Sequence, residues 1–246
     1  MKCTDFKIIK NHQLTSDVYE ITLKGDTSDI KAPGQFVNIK LDGLFLRRPI
    51  SVCDLTDDTL TLIYKVVGKG TEQIAKMNPN EALNLMCGLG NGFNINAPCK
   101  NPLLIGGGVG VPPLYWLAKE FIKTGKKPLV ILGFNTKENV FYEEEFNKLG
   151  VKTIVTTVDG SYGIKGYVTD ALNEVEFYDY FYSCGPEPML KALYNTIKTD
   201  GQLSFEERMA CGFGVCMGCS CKTLYGNKRI CKDGPVLNKN EVIWQV

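Results

Sequence analysis

Along the first hundred residues, apolar and polar positions alternate one by one. Tyr19, Ile21 and Leu23 are separated by Glu20, Thr22 and Lys24, and Val37, Ile39 and Leu41 by Asn38, Lys40 and Asp42. Leu60, Leu62 and Tyr64 continue the theme. A period of two belongs to strands with one face buried. The runs are broken by the turn-forming pairs Pro33-Gly34 and Asp42-Gly43. Residues 1–99 are therefore expected to fold as a small antiparallel β-barrel or sheet.

Between about residues 100 and 200 the period changes. Pro102-Leu103-Leu104-Ile105 is an apolar run that stops at Gly106, and Leu114, Leu117, Ala118, Phe121 and Ile122 then fall on one helical stripe. Leu129 to Leu132, Thr153 to Val158 and Asp179 to Ser183 read as further strands. Glu143 to Leu149 reads as a helix, as does the stretch holding Met189, Leu190, Leu193 and Ile197. Strands alternating with helices predict an α/β unit with a parallel, doubly wound sheet. From about residue 201 the chain is rich in glycine and cysteine and reads as loop. So short a segment builds little core of its own, and a metal staple is expected there. The expected division is 1–99, 100–200 and 201–246.

Cysteine usage sharpens the last segment. Of ten cysteines, Cys3, Cys53, Cys87, Cys99 and Cys184 are scattered, whereas Cys211, Cys216, Cys219, Cys221 and Cys231 crowd one stretch. The start of the chain has no apolar core of a signal peptide, and no run reaches the length of a membrane span. A cytoplasmic protein is expected, where disulfides rarely persist and clustered cysteines point to metal or redox work. The single histidine, His12, leaves no room for a Cys₂His₂ finger, a Rieske centre or a histidine-rich metal site. With 28 Lys and Arg against 27 Asp and Glu, there is no electrostatic reason to expect nucleic acid.

Cys211, Cys216, Cys219 and Cys231 are spaced C-x4-C-x2-C-x11-C. The first three match the plant-type pattern for a [2Fe–2S] cluster with a distant fourth cysteine. Glycines at 212 and 214 let the backbone curl around such a cluster and aim N–H groups at its sulfurs. Zinc is the alternative, but zinc ribbons favour two separated C-x2-C knuckles, and one is present here. Cys221, two residues after Cys219, is a further thiol that falls outside the spacing.

Two more stretches carry phosphate chemistry. In Arg47-Arg48-Pro49-Ile50-Ser51, arginine suits a phosphate or a flavin oxygen and serine a ring atom, although an Arg pair on a sheet is commonly a solvated face. Gly68-Lys69-Gly70-Thr71 turns from a strand into a helix running through Ala75, a natural pyrophosphate site or an ordinary junction. It is not a Walker A motif. Gly106-Gly107-Gly108-Val109-Gly110 joins the first buried strand of the α/β unit to its first helix, where a dinucleotide phosphate can approach. Cys184-Gly185-Pro186 ends the last strand, where open α/β sheets hold ligands, although Cys184 alone reads equally as a buried structural thiol.

The order of these features resembles the ferredoxin–NADP reductase superfamily over residues 1 to about 200. Several stretches extend the resemblance to the whole chain: Glu206 through Cys219, Cys231-Lys232-Asp233-Gly234-Pro235-Val236, Leu132-Gly133-Phe134, Asp159 through Gly166 and Cys184 through Leu190. There it is similar to the electron transfer subunits of dihydroorotate dehydrogenase B. The resemblance implies a barrel holding FAD, an α/β domain binding NAD and a terminal [2Fe–2S] subdomain. It assigns FAD contacts to Arg48, Pro49, Ile50 and Ser51, to Ile63, Tyr64 and Lys65, and to Gly70 and Thr71. Lys65 stands where relatives commonly carry arginine. It assigns the cluster to Cys211, Cys216, Cys219 and Cys231, and the nicotinamide nucleotide to Gly108, Gly110 and Cys184, with no catalytic acid or base.

The implied assembly is a heterotetramer of two such chains with two FMN-containing dihydroorotate dehydrogenase catalytic subunits. The implied route runs from that FMN through the cluster and FAD to NAD⁺, in pyrimidine synthesis. A flavin must stand between the others, because an iron–sulfur cluster moves single electrons and NAD⁺ takes two. NAD is expected over NADP, since Lys137 is the lone base in Asn135-Thr136-Lys137-Glu138 and the acidic run Glu143-Glu144-Glu145 follows. Two other readings fit the same residues: a diaphorase-type NAD(P)H–ferredoxin or sulfide reductase subunit, and a non-enzymatic protein with a zinc-stapled interaction module.

Overall fold

The chain is described by a computed structural model over residues 2–244; positions 1, 245 and 246 of the outer segments lie outside the described residues. Six antiparallel strands come first: β1 (Cys3–Gln13), β2 (Val18–Lys24), β3 (Phe36–Lys40), β4 (Arg48–Leu55), β5 (Thr59–Lys65) and, after helix α1 (Lys69–Ala75), β6 (Ala82–Leu89). They close into a barrel in the order β1-β2-β5-β4-β3-β6. The alternating residues do what their period predicts. Ile21, Leu23, Val37, Ile39, Leu60, Leu62 and Tyr64 fill the barrel interior. Asn38 departs from the pattern. It alternates as a polar residue, yet is 1% exposed, because the outer face of β3 is covered by the C-terminal segment.

The second unit contains β7 (Pro102–Gly107), α2 (Pro112–Lys123), β8 (Leu129–Phe134), α3 (Glu143–Lys148), β9 (Lys152–Thr157), β10 (Ile164–Lys165), β11 (Tyr180–Cys184) and α4 (Glu187–Thr196). Strand β7 runs two residues beyond the expected stop at Ile105, because Gly106 and Gly107 still pair with β8. Ile122 lies outside the buried stripe of α2 and is 38% exposed. It sits in the last turn, on the rim of a groove at the opening ends of β7, β8 and β9.

The loop-like reading of residues beyond 200 is corrected by four further strands. These are β12 (Gly201–Ser204), β13 (Ser220–Thr223), β14 (Gly226–Arg229) and β15 (Val236–Asn238). β12 joins the large sheet parallel to β11, and β15 closes its edge antiparallel to β12. β13 and β14 form a separate hairpin. These strands are too short for their period to announce them. The sheet order is β10-β9-β8-β7-β11-β12-β15. Strand order therefore reverses beside β7, which has β8 on one side and β11 on the other. That is the switch point at which open α/β sheets leave a crevice.

The barrel and the α/β unit share a continuous apolar seam, in which Val18, Cys53 and Ile63 meet Leu114, Phe121, Phe134 and Tyr142. Polar ties cross it. Lys119 on α2 pairs with Asp54 on β4 at 2.6 Å, and Tyr142 donates its hydroxyl to Glu20 on β2 at 2.9 Å. Both are partly sheltered from water, where a charge-assisted bond contributes about 1.5–3 kcal/mol. Among the described residues, no helix is long and apolar enough to cross a membrane.

Candidate cofactor sites

Arg48 to Ser51 lie on β4, and Ile63 to Lys65 on the neighbouring β5; Val52 opposite Leu62 sets the two stretches side by side. The turn into α1 comes next to them. A Cβ at Gly70 would overlap Arg48 Nε and stand 2.8 Å from its Cζ, so the guanidinium rests directly on this turn. Only a residue without a side chain permits that approach. Thr71 builds the turn from inside: its hydroxyl accepts from the N–H of Val67 at 2.9 Å and donates to the Gly68 carbonyl at 3.0 Å. A guanidinium above a glycine turn at a helix start is suited to a pyrophosphate.

The other expected flavin residues play unequal parts. The Tyr64 side chain points into the barrel, 1% exposed, with its hydroxyl donated to Asn11 at 3.0 Å. Ile63 is buried in the interdomain seam. Only backbone atoms of these two remain for a ligand. Lys65 is exposed and pairs with Asp17 at 2.9 Å. Arg48 and Pro49 face a groove of about 1040 Å³, whose other walls include Pro186, Glu206, Cys221 and Trp244. That volume accommodates a large cofactor. Trp244 has no local signature in the sequence, because its place in this wall depends on the chain continuing past β15.

At the switch point, Cys184 pairs with Gly106 on one side and Ser204 on the other. A Cβ at Gly110 would overlap the Cys184 carbonyl and lie 2.6 Å from Gly185 Cα. Gly108 differs: its φ is +51° and a Cβ there would meet nothing within 4 Å. All three expected nucleotide residues thus converge at the carboxyl ends of β7 and β11. Burial pushes the Cys184 thiol up to about 12, against a hydrogen bond with Ser204 that lowers it.

The four spaced cysteines gather between the barrel and the edge of the large sheet. Cys219 and Cys231 are each 2% exposed, in an apolar cluster with Phe36, Leu89, Leu203 and Ile230. The thiols associate in two pairs, Cys211 with Cys216 and Cys219 with Cys231. Among the described residues, no three ligating side chains converge on one point fit for a single metal ion. Two thiolates for each of two irons is the donor set a [2Fe–2S] cluster takes. Burial alone would raise the Cys211 thiol, but the backbone N–H groups of Cys216, Phe213 and Val215 outweigh it and bring it to about 6. Such groups favour the thiolate that binds metal. Burial, then Cys219, pushes Cys231 up to about 12.

Arg229, which the sequence reading passed over, braces this loop. It pairs with Asp233 at 2.9 Å and donates to the Gly214 carbonyl at 2.7 Å, linking both halves of the cysteine segment. Asn91 donates to the carbonyls of Asp233 and Val236 at 3.1 and 2.8 Å and fixes the segment to the end of the barrel. Cys221 lies on β13 and lines the groove, apart from the two thiol pairs.

Comparison with known proteins agrees with this geometry. Residues 206–243 match the iron–sulfur cluster binding domain of dihydroorotate dehydrogenase B, and residues 104–194 an oxidoreductase NAD-binding domain. The chain is 45% identical to the electron transfer subunit of dihydroorotate dehydrogenase B (NAD⁺) from Fusobacterium nucleatum, over 98% of this chain and 99% of that one. It is 42% identical to the subunit of the same name from a Geobacillus species, over 99% of each. Among solved structures it superposes on a chain of the NADH-dependent reduced ferredoxin–NADP oxidoreductase with a TM-score of 0.89. Identity there is 31%, over 97% of this chain and 90% of that one. A Neisseria gonorrhoeae ferredoxin–NADP⁺ reductase, solved with FAD and NADP, shares the fold at a TM-score of 0.70 and 18% identity, over 80% and 90% of the two chains.

Proposed function

The chain belongs to the family of dihydroorotate dehydrogenase B electron transfer subunits, and on that premise we propose that it delivers electrons from a dihydroorotate-oxidising partner to NAD⁺ in pyrimidine synthesis. The observation that carries this reading is the two thiol pairs, Cys219 and Cys231 buried and Cys211 and Cys216 nearer the surface, set between the barrel end that bears Arg48 and the edge of the sheet whose switch point bears Gly110. When bound, the [2Fe–2S] cluster and FAD supply one-electron transfer and its conversion to hydride chemistry. The chain's own residues bind, orient and exclude water.

In this reading Arg48 and the Gly68–Thr71 turn hold the FAD pyrophosphate. Pro49, Ile50 and Ser51, with the backbone of Ile63, Tyr64 and Lys65, form the wall beside the ring. Gly108, Gly110 and Cys184 admit the nicotinamide nucleotide, with Cys184 kept as a neutral thiol. Cys211, Cys216, Cys219 and Cys231 hold the irons, and the apolar surroundings of Cys219 and Cys231 keep water from the inner pair. The division into 1–99, 100–200 and 201–246 is part of the proposal, with Gly201–Ser204 and Val236–Asn238 lending strands to the middle unit. So is a two-plus-two assembly with an FMN-bearing catalytic subunit, in the cytoplasm, where thiols stay reduced.

The test is iron, sulfide and flavin analysis on the purified chain and on Cys216→Ser. We expect FAD with two irons and two sulfides per wild-type chain, and a variant that keeps FAD but loses the cluster absorbance. Zinc without flavin in the wild type, or full cluster absorbance in the variant, refutes the assignment. The likeness to the ferredoxin–NADP oxidoreductase chain favours a second reading, a subunit of a ferredoxin-linked reductase. Co-purification with an FMN protein that oxidises dihydroorotate separates the two.

A further inference from the structure

The outer face of β3 meets the cysteine segment through an apolar surface. Phe36, Met86 and Leu89 pack there against Cys219, Cys231 and Leu203. Asn38 stands in that seam, 1% exposed. Its Oδ1 is buried without a hydrogen-bond partner among the described residues. Its Nδ2 lies against Gly212, so closely that a Cβ on Gly212 would overlap it and stand 3.3 Å from Cγ. Gly212 directly follows Cys211. Within the sheet, Asn38 is paired with Pro49 of the Arg-Pro-Ile-Ser stretch, and its carbonyl accepts from Arg47 at 3.1 Å.

Stability does not account for this side chain. A buried acceptor without a partner costs about 1–3 kcal/mol, and a leucine of similar size would suit the apolar neighbours. The amide does have one property a leucine lacks: an N–H dipole turned toward the loop that carries Cys211. N–H groups near cluster thiolates stabilise the reduced, more negative form and raise its reduction potential.

We propose that Asn38 is a positioning residue for the iron–sulfur cluster: its amide seats the Cys211-Gly212 backbone and sets the polarity around Cys211 from the strand next to the flavin stretch. This inference rests on the cluster reading above and adds a residue from the barrel to it.

The experiment is a potentiometric titration of the full chain, read by electron paramagnetic resonance of the reduced cluster, for wild type, Asn38→Leu and Asn38→Asp. FAD content and melting temperature are measured alongside. In Asn38→Leu the cluster is expected to become about tenfold harder to reduce, about 59 mV for one electron. Asn38→Asp places a carboxylate there and is expected to shift further in the same direction. FAD content stays at the wild-type level in both. Loss of the cluster alone from either variant, with FAD retained and melting unchanged, also supports the role. Wild-type potentials and spectra in both loaded variants overturn it.

Should Asn38→Leu lose both cofactors, Gly212→Ala against Asn38→Ala/Gly212→Ala decides. The backbone strain at φ +78° is common to both, and only the second makes room for the new methyl. A double variant whose spectrum lies nearer wild type supports the contact, and identical spectra overturn it. A wild-type chain without iron would refute the cluster reading itself, a different failure from unchanged potentials in loaded variants.

Discussion

Two glycines of the loop after β7 are present for different reasons, and replacing each by alanine separates them. At Gly110 the obstacle is contact. The new methyl would overlap the Cys184 carbonyl and lie 2.6 Å from Gly185 Cα, where ordinary contact begins at 3.4 Å. Both neighbours are backbone at the end of β11, held by pairing with β7 and β12. Relief therefore requires the loop and the strand end to part by about 1 Å, and a misplacement of that size commonly reduces turnover by about 10²-fold. At Gly108 there is no obstacle in space, only a φ of +51°, which costs an L-residue about 1–2 kcal/mol. The assay is NADH-dependent reduction of ferricyanide, with FAD and iron content measured in parallel. Gly110→Ala is expected to lose about 10²-fold in kcat/KM for NADH while retaining FAD and iron. Gly108→Ala, whose new methyl meets no protein atom, is expected to lower the unfolding free energy by about 1–2 kcal/mol in urea unfolding. Wild-type NADH kinetics in a fully flavinated Gly110→Ala protein would refute the placement of the nucleotide at this switch point.

Cys184, its thiol pushed up to about 12 from an ordinary 9.0, stays protonated at pH 8. It should resist iodoacetamide in the folded chain and react once urea unfolds it, as peptide mass mapping would show; rapid labelling of the native protein contradicts this. The sign for stability follows. The folded state binds this proton more tightly, so its contribution is complete below pH 9, and it is lost as pH rises toward 12. Lys119→Met removes one partner of the Lys119–Asp54 pair, whose side chains are 27% and 24% exposed. That partial exposure limits the expected loss to about 1–2 kcal/mol in urea unfolding, and a neutral result would mean that the seam is held by its apolar contacts alone.

Legibility in the sequence followed the range of the interactions. The barrel interior and the α/β strands were readable because each is set by a local period: two for Ile21 and Leu23 on β2, and 3.6 for Leu114, Leu117 and Phe121 on α2. The cysteine set was readable because ligand spacing within a loop is also local. What escaped were effects of the chain's return. Gly201–Ser204 reads as loop by composition, yet is buried throughout because β11 and β15 flank it. Asn38 reads as a solvent-facing strand residue because nothing nearby in the chain says that Gly212 will cover it. Tyr64 fits the flavin pattern by position, and only the closed barrel turns its ring inward, leaving the backbone to serve. Arg229 left one faint trace, an opposite charge four residues on at Asp233, but its bond to the Gly214 carbonyl spans the loop and has no local signature.

The return of the chain also explains why three sites can share so small a protein. A βα unit alone leaves its crevice open to solvent on the β11 side. Here β12 extends the sheet past β11, and β15 runs back antiparallel to close the edge. Between those two strands lies the whole cysteine segment, residues 205–235, so its ends are pinned by the sheet that carries the glycine loop after β7. Its far end is pinned to the barrel by Asn91, and Gly212 near its start rests on Asn38. The segment thus bridges both folded units instead of hanging from one. Any rotation of the barrel against the α/β unit must strain it, and the Lys119–Asp54 and Tyr142–Glu20 ties oppose such rotation from the other side of the seam. The arrangement is that of a rigid relay: electron transfer tolerates little change in spacing, and the cysteine segment gains its fixed place by being tied to both neighbours at once.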